Sequence, residues 1–181
     1  MRKTLYFTLV VVLTAGLSSC ESIESLFDID FDTTLSGDLD ISIQESAKKS
    51  ASYSFSTYTE VDPLDDEDIQ EYLDKIKDFD VNEIMAKAVY VNKGEVVFGP
   101  GTTFTIYDNI DKATWPAPDN WAVSEGTTLT LGDISKVYQT VADILTRKKP
   151  FTIGASGTCS ETGVEVVIRI SIKTKVIANP L

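Results

Sequence analysis

The chain of 181 residues contains no histidine. That absence removes the commonest general base, the imidazole that activates serine and cysteine nucleophiles, and the commonest metal ligand. Arginine is almost as scarce, since Arg2 is followed only by Arg147 and Arg169. With 28 acidic against 16 basic side chains and a formal net charge of −12, phosphates meet repulsion, which argues against a nucleic-acid partner. Cysteine occurs only as Cys20 and Cys159, tryptophan only as Trp115 and Trp121. After Leu13 no apolar run approaches the length of a bilayer span. The rest is ordinary for a globular protein, at 43% hydrophobic and 24% charged, and the length suits one domain with a real core.

The N-terminus reads MRKTLYFTLVVVLTAGLSSC, with Arg2 and Lys3, an apolar run from Leu5 to Leu13, then small residues. This is a signal-peptide layout: a charged start, a short apolar stretch and a processing site. Leu17-Ser18-Ser19-Cys20 resembles the lipobox of bacterial lipoproteins. The resemblance implies cleavage of residues 1–19, acylation of Cys20 and anchoring of the new N-terminus in a membrane leaflet. Several acyl chains make such an anchor stable. Cys159 is then a free thiol, and with no imidazole to activate it, a small buried residue. The acids in the following ESIES resemble the surface-export signal of Bacteroidota lipoproteins, which implies the outer membrane and favours its outer face. Residues 20–26 form a short linker whose reach is roughly 20 Å when extended. Residues 27–181 are expected to form a single β-rich domain close to that membrane.

From residue 27 the chain alternates strictly. Phe27, Ile29, Phe31, Leu35, Leu39, Ile41 and Ile43 take one side, with Asp28, Asp30, Asp32, Asp38 and Asp40 on the other. Period two marks a strand with one buried and one wet face. TLSGD in its middle predicts a bend, bulge or hairpin, and SYSFSTYTEV continues the alternation. DPLDDEDIQEYLDKIKDF changes period: Ile69, Tyr72, Leu73 and Ile76 form a helical stripe behind acids suited to a helix start. Strands resume in NEIMAKAVYVN and, after a turn at Asn92-Lys93-Gly94, in EVVFGPGTTFTIY, interrupted at Gly99-Pro100-Gly101. An irregular stretch is predicted from Asp108 to about Leu131. A second helix in GDISKVYQTVADILTRKK places Ile134, Val137, Tyr138, Val141 and Leu145 on one face and stops at Pro150. The tail reads as a hairpin closing with Val164, Val166, Ile168, Ile170 and Ile172 on one side. The sum is a mainly β (α+β) fold, an antiparallel β-sandwich-like domain of about seven strands with two amphipathic helices.

Charge is uneven along the chain: residues 20–83 carry 19 acids and 4 bases, residues 84–181 carry 9 acids and 10 bases. Arg169, Lys173 and Lys175 fall on one face of the last strand. Cross-strand pairing predicts that this basic face lies beside the acidic face of the first strand.

The candidate sites are few. Asp28, Asp30 and Asp32 have the spacing of a calcium loop, but Thr33 and Leu39 stand where it needs glycine and a bidentate acid. The acids of DPLDDED suit a helix start, so no metal and no cofactor is expected. GASG at 154–157 resembles the start of a nucleophile elbow, but Thr158 follows instead of glycine and no histidine exists. No catalytic residue is assigned, and the chain is read as a non-enzyme. Asp32-Thr33-Thr34 resembles the short O-glycosylation motif of Bacteroidota secreted proteins. The long stretch after Asp108 holds Trp115 and Trp121 around Pro116 and Pro118. Their indoles are either a platform for a sugar ring or a protein partner, or plugs that pin the stretch onto the core.

These observations point to a membrane-anchored cell-envelope lipoprotein acting as a non-catalytic binding or structural accessory domain. Three alternatives stay open: a surface glycan-binding lipoprotein using Trp115 and Trp121, a fimbrial-type subunit, and a lipid carrier. The fimbrial reading fits poorly, because such subunits mature by a cut at an arginine near the first strand. Here no arginine lies between Cys20 and Arg147.

Overall fold

The computed structural model describes residues 28–45 and 52–179. Cys20, the lipobox and the linker lie outside the described residues. Among the described residues ten strands form two antiparallel sheets: β1 (Ile29–Ile43), β2 (Tyr53–Val61), β3 (Ile76–Val91), β4 (Glu95–Phe98), β5 (Thr103–Tyr107), β6 (Lys112–Pro116), β7 (Trp121–Ser124), β8 (Thr128–Thr130), β9 (Phe151–Cys159) and β10 (Val164–Ala178). Two α-helices join them, α1 (Glu67–Glu71) and α2 (Val137–Thr146). The domain is a β-sandwich, as the alternation predicts, with more strands than the sequence announces.

One sheet runs β1-β10-β3-β8, with β10 at its centre paired along its length to β1 and β3. In the other, β9 carries β2 on one edge and β5 with β4 on the opposite edge, and β6 and β7 lie beyond. The inner faces meet in a core built from Leu35, Leu39, Ile84, Ile168, Ile170 and Ile172 of the first sheet. Phe98, Phe104, Ile106, Phe151, Ile153 and Trp115 come from the second. Apolar burial on this scale is the main force holding two sheets face to face. Helix α2 packs against β3 of one sheet and β5 and β6 of the other, closing the side away from β1 and β2. Its Tyr138 hydroxyl donates to Leu131 O at 2.8 Å and accepts from Ile84 N at 3.2 Å, fastening helix to sheet.

Four local expectations are corrected. First, β1 passes straight through TLSGD without a bend. Gly37 faces inward there, where a Cβ would stand 2.8 Å from Thr59 Cγ2 and 2.9 Å from Val61 Cγ2 of β2. The glycine serves a close approach of the two edge strands, not a turn. Second, the first helix ends at Glu71, and Ile76 opens β3 instead of completing a helical stripe. Pairing with β10 buries Ile76, Phe79 and Val81, and this long-range gain overrides the local helical period.

Third, the stretch from Asp108 to Leu131 is not irregular but holds β6, β7 and β8. Strands β4 and β5 run out and β6 and β7 return as one long hairpin in a single register. Thr103 faces Pro116 and Phe98 faces Trp121 on the two sides of the interruption. The break falls where Gly99-Pro100-Gly101 lies opposite Pro118-Asp119-Asn120, since proline has no N–H to give a ladder. Fourth, β9 and β10 are not a hairpin, for the chain at 160–163 crosses from one sheet to the other. The second helix also starts later than its apolar stripe implies. Ile134 is 58% exposed on a 3-10 turn, and Ser135 and Lys136 take left-handed φ values of 57° and 63° before α2 begins.

Candidate functional site

Both tryptophans are inside. Trp115 on β6 is 1% exposed, and its Nε1 donates to Gly132 O at 2.9 Å, so its one polar atom is satisfied. Trp121 on β7 is 7% exposed and packs between Phe98 and Phe104, at ring-centroid distances of 5.9 and 5.8 Å. In this conformation neither ring offers a face to solvent, and together they pin the returning arm of the hairpin to the core.

The tip of that hairpin, Asp108 to Asp111, is tied down by α2. Asp108 Oδ1 accepts from Ile110 N and Asp111 N, both at 2.8 Å. Arg147, just past the helix end, donates from Nε to Asp108 Oδ2 at 2.6 Å and from a terminal nitrogen to Asp111 Oδ2 at 2.8 Å. Burial pushes the Asp108 carboxyl up, but the two backbone donors and the guanidinium outweigh it and hold it below the ordinary carboxylate range. Lys148 donates to Leu73 O and Ile76 O across the same region. These groups serve as structural ties between α2, the hairpin tip and the start of β3.

Two acids of β1, Asp30 and Asp38, and Asp28 just before it are engaged by bases, two of them from β10 as the charge pattern predicts. Arg169 grips Asp38 with two parallel hydrogen bonds of 2.7 and 2.8 Å, and that contact holds the Asp38 carboxyl below its usual range. Lys175 lies 3.6 Å from Asp30, and Lys77 lies 3.0 Å from Asp28. Lys173 turns the other way, to Glu83 of β3 at 2.5 Å. Among the described residues no group of three histidine, cysteine or carboxylate side chains is placed to hold a metal ion. Asp66 has a structural role: Oδ1 caps α1 through Ile69 N, and Oδ2 accepts from Thr33 of the Asp32-Thr33-Thr34 motif. Cys159 is a free thiol, fully buried, and burial raises it further from ionisation.

The outer face of the second sheet is different in kind. Its rows run across β2, β9, β5 and β6 as Ser56, Ser156, Thr103 and Pro116, then Tyr58, Gly154, Thr105 and Thr114, then Glu60, Thr152, Tyr107 and Lys112. Every side chain in the first two rows is uncharged, and all but Pro116 and Gly154 carry a hydroxyl. Tyr58 stands 77% exposed in the middle row. Beside it, Gly154 forms the floor of an open depression of about 260 Å³, walled by Tyr58, Thr105, Tyr107 and Ser156. A Cβ on Gly154 would lie 2.9 Å from Thr105 Oγ1 and take up that floor. Lys112 Nζ sits 5.9 Å from the centre of the Tyr107 ring at the far end.

None of these residues stands out in the sequence by the usual signals of histidine, tryptophan or clustered charge. The available signal is the polar half of the alternation. In SYSFSTYTE and TFTIY that half consists of Ser, Thr and Tyr up to the terminal Glu60, whereas in FDIDFD it consists of Asp.

No protein-family model and no curated protein matches the chain. Solved structures similar to it include the decameric BFDV capsid protein, at 12% identity and a TM-score of 0.44, over 82% of this chain and 99% of that one. A likeness that distant carries no argument about what this chain does or assembles into.

Proposed function

We propose that the chain is a cell-envelope lipoprotein, anchored through Cys20 in the outer membrane with its domain on the outer face. Its folded part acts as a non-catalytic binding domain. One observation carries the binding reading: the two outer faces of the sandwich differ. The β1-β10-β3 face is charged, with the ion pairs Arg169–Asp38, Lys173–Glu83 and Lys175–Asp30 and a depression bordered by Asp32 and Lys173, while the β2-β9-β5-β6 face presents hydroxyls and an exposed ring around an open depression. Buried indoles and tied-down acids support this face over Trp115, Trp121 or a carboxylate site. A lipid carrier is the weaker reading, because the inner faces of the sheets are packed against one another.

The anchor is tested by metabolic labelling with a palmitate analogue. The wild-type chain is expected to label and a Cys20→Ala variant is not; equal labelling of both refutes the anchor. Digestion of intact cells by an added protease tests the orientation, with a protected domain as the refuting outcome. The face is tested with a photo-crosslinking residue placed at Ser56 or, on the opposite sheet, at Ser36. Adducts are expected from position 56 and not from 36. Adducts from neither, or equally from both, sink the assignment.

A further inference from the structure

Resting on that reading of the β2-β9-β5-β6 face, we propose that the depression over Gly154 is a binding site for a neutral sugar. One ring of a glycan stacks on Tyr58 and is held by the surrounding hydroxyls. The charge pattern argues for the class of ligand. The chain has 28 acids against 16 bases, yet the two central rows of this face carry no charge at all. Lys112 is the one charged side chain that lines the depression, at its far end over the Tyr107 ring, and Glu60 stands in the same end row outside the lining. An uncharged ligand rich in hydroxyls brings no charge to desolvate and finds hydroxyl partners here for the hydrogen bonds it gives up in water.

The lining supplies what such a ligand needs. A serine or threonine hydroxyl both donates and accepts and rotates to suit, which matches the alternating donors and acceptors of a sugar ring. Thr103 and Ser156 share one bond of 3.2 Å, and Thr105 makes only a long bond of 3.4 Å to Gly154 O. These hydroxyls are therefore free to turn outward without orphaning a buried atom. The sugar's C–H face suits an aromatic ring, and Tyr58 exposes 77% of itself in mid-strand, where folding alone gives a ring little reason to stand.

Gly154 completes the geometry. A glycine weakens a strand interior; here the missing Cβ makes room for Thr105 Oγ1, which it would meet at 2.9 Å, and leaves the floor of the depression low. On the outer face no strand covers it, so the space above it stays open between Tyr58 and Tyr107. Those residues stand on strands two spacings apart, roughly 10 Å. The volume of about 260 Å³ lies just under the roughly 300–1,000 Å³ of drug-sized pockets. One ring fits the depression, and its neighbours run along the open sheet.

The test is affinity electrophoresis of the full mature chain, in detergent, through gels containing starch, xyloglucan or yeast mannan, with polygalacturonate as the charged polymer. At least one neutral polymer is expected to retard the wild type. Tyr58→Ala is expected to weaken that retardation at least about five-fold, while Tyr58→Phe keeps it. Thermal melts of the two variants separate lost binding from lost folding, and the exposure of Tyr58 means both are expected to fold. Failure of all three neutral polymers to retard the chain overturns the proposal, as does unchanged retardation of Tyr58→Ala. Tyr58-dependent retardation by polygalacturonate alone overturns the neutral-sugar class but keeps the binding face. No retardation by any polymer, joined to an empty crosslink at position 56, removes both.

Discussion

Replacing Arg147 with alanine cuts the tie between the end of α2 and the tip of the long hairpin, and the structure sets the size of the loss. Two charge-assisted bonds of 2.6 and 2.8 Å disappear, between side chains that are 25%, 13% and 37% exposed for Arg147, Asp108 and Asp111. Exposed ion pairs contribute about 0–1 kcal/mol. Hydrogen bonds to charged groups in sheltered places contribute about 1.5–3 kcal/mol. This site lies between the two cases, and Asp108 keeps its two backbone donors, so it is not left bare. A loss of about 2 kcal/mol follows, or a fall in Tm of about 4–8 °C for a domain of this size. By comparison the Arg169–Asp38 pair, with side chains 48% and 42% exposed, is a surface bridge of little thermal consequence. The pH dependence gives a second check. The Asp108 carboxyl is depressed in the folded state, so the unfolded chain binds its proton more readily. Its stabilisation is therefore present above the unfolded value of about 3.9 and is lost as the pH falls through and below it. Circular-dichroism melts at pH 7 and pH 3 are expected to show a gap between wild type and Arg147→Ala that shrinks in acid. A Tm within 1 °C of wild type at pH 7, or a gap that widens in acid, refutes the clamp.

Two further substitutions probe the core. Gly37→Ala ordinarily improves a strand by about 0.5–1 kcal/mol, but here the new Cβ meets Thr59 Cγ2 at 2.8 Å and Val61 Cγ2 at 2.9 Å. Overpacking costs about 1–3 kcal/mol, so the urea midpoint is expected to drop, and a midpoint that holds or rises would show that the edges are not in close contact. Trp115→Phe keeps a ring in the core but deletes the bond to Gly132 O. The lost bond and the reduced volume amount to about 2 kcal/mol, read as a lower midpoint at constant slope; an unchanged midpoint would mean that the indole is not a plug.

What the sequence discloses and what it hides divide along one line: whether a signal is local or depends on the pairing of distant strands. The alternation of β1 and β10 is plain because β10 buries one face along its whole length and β1 buries one from Leu35 onward. Even the contact of Asp38 with Arg169 is legible, since opposite charges on two alternating strands have one good arrangement. The first helix is overread because Ile69, Tyr72 and Ile76 match a helical period by coincidence, while the partner that draws Ile76 into β3 lies near the far end of the chain. The β6–β7 arm is missed because Pro116 and Pro118 look like loop residues. They sit in fact at a break in a ladder whose register survives across it. The Tyr58 face escapes a search for reactive residues because its chemistry lies in what it omits, namely charge.

The uneven charge of the chain explains why the two outer faces end up so different. Acids crowd residues 20–83, and the bases that answer them come largely from β10, 131 residues away in sequence for Asp38 and Arg169 and farther still for Asp30 and Lys175. Antiparallel pairing sets Asp38 beside Arg169 and Thr34 beside Lys173. A slip of one residue would turn Ile168 and Ile170 outward and carry Arg169 into the core. The ion pairs add little energy at so exposed a surface, but each wrong register of the first and last strands buries a charge or strands one without its partner. That face is thereby committed to aligning the two ends of the domain. Strand β5 takes its register from its hairpin with β6, and β2 and β9 from the apolar side chains they turn into the core, so their outer positions are under no such constraint. Hydroxyls and an exposed tyrosine on those strands cost the fold nothing, and a ligand can use them without competing with an ion pair that the sandwich needs.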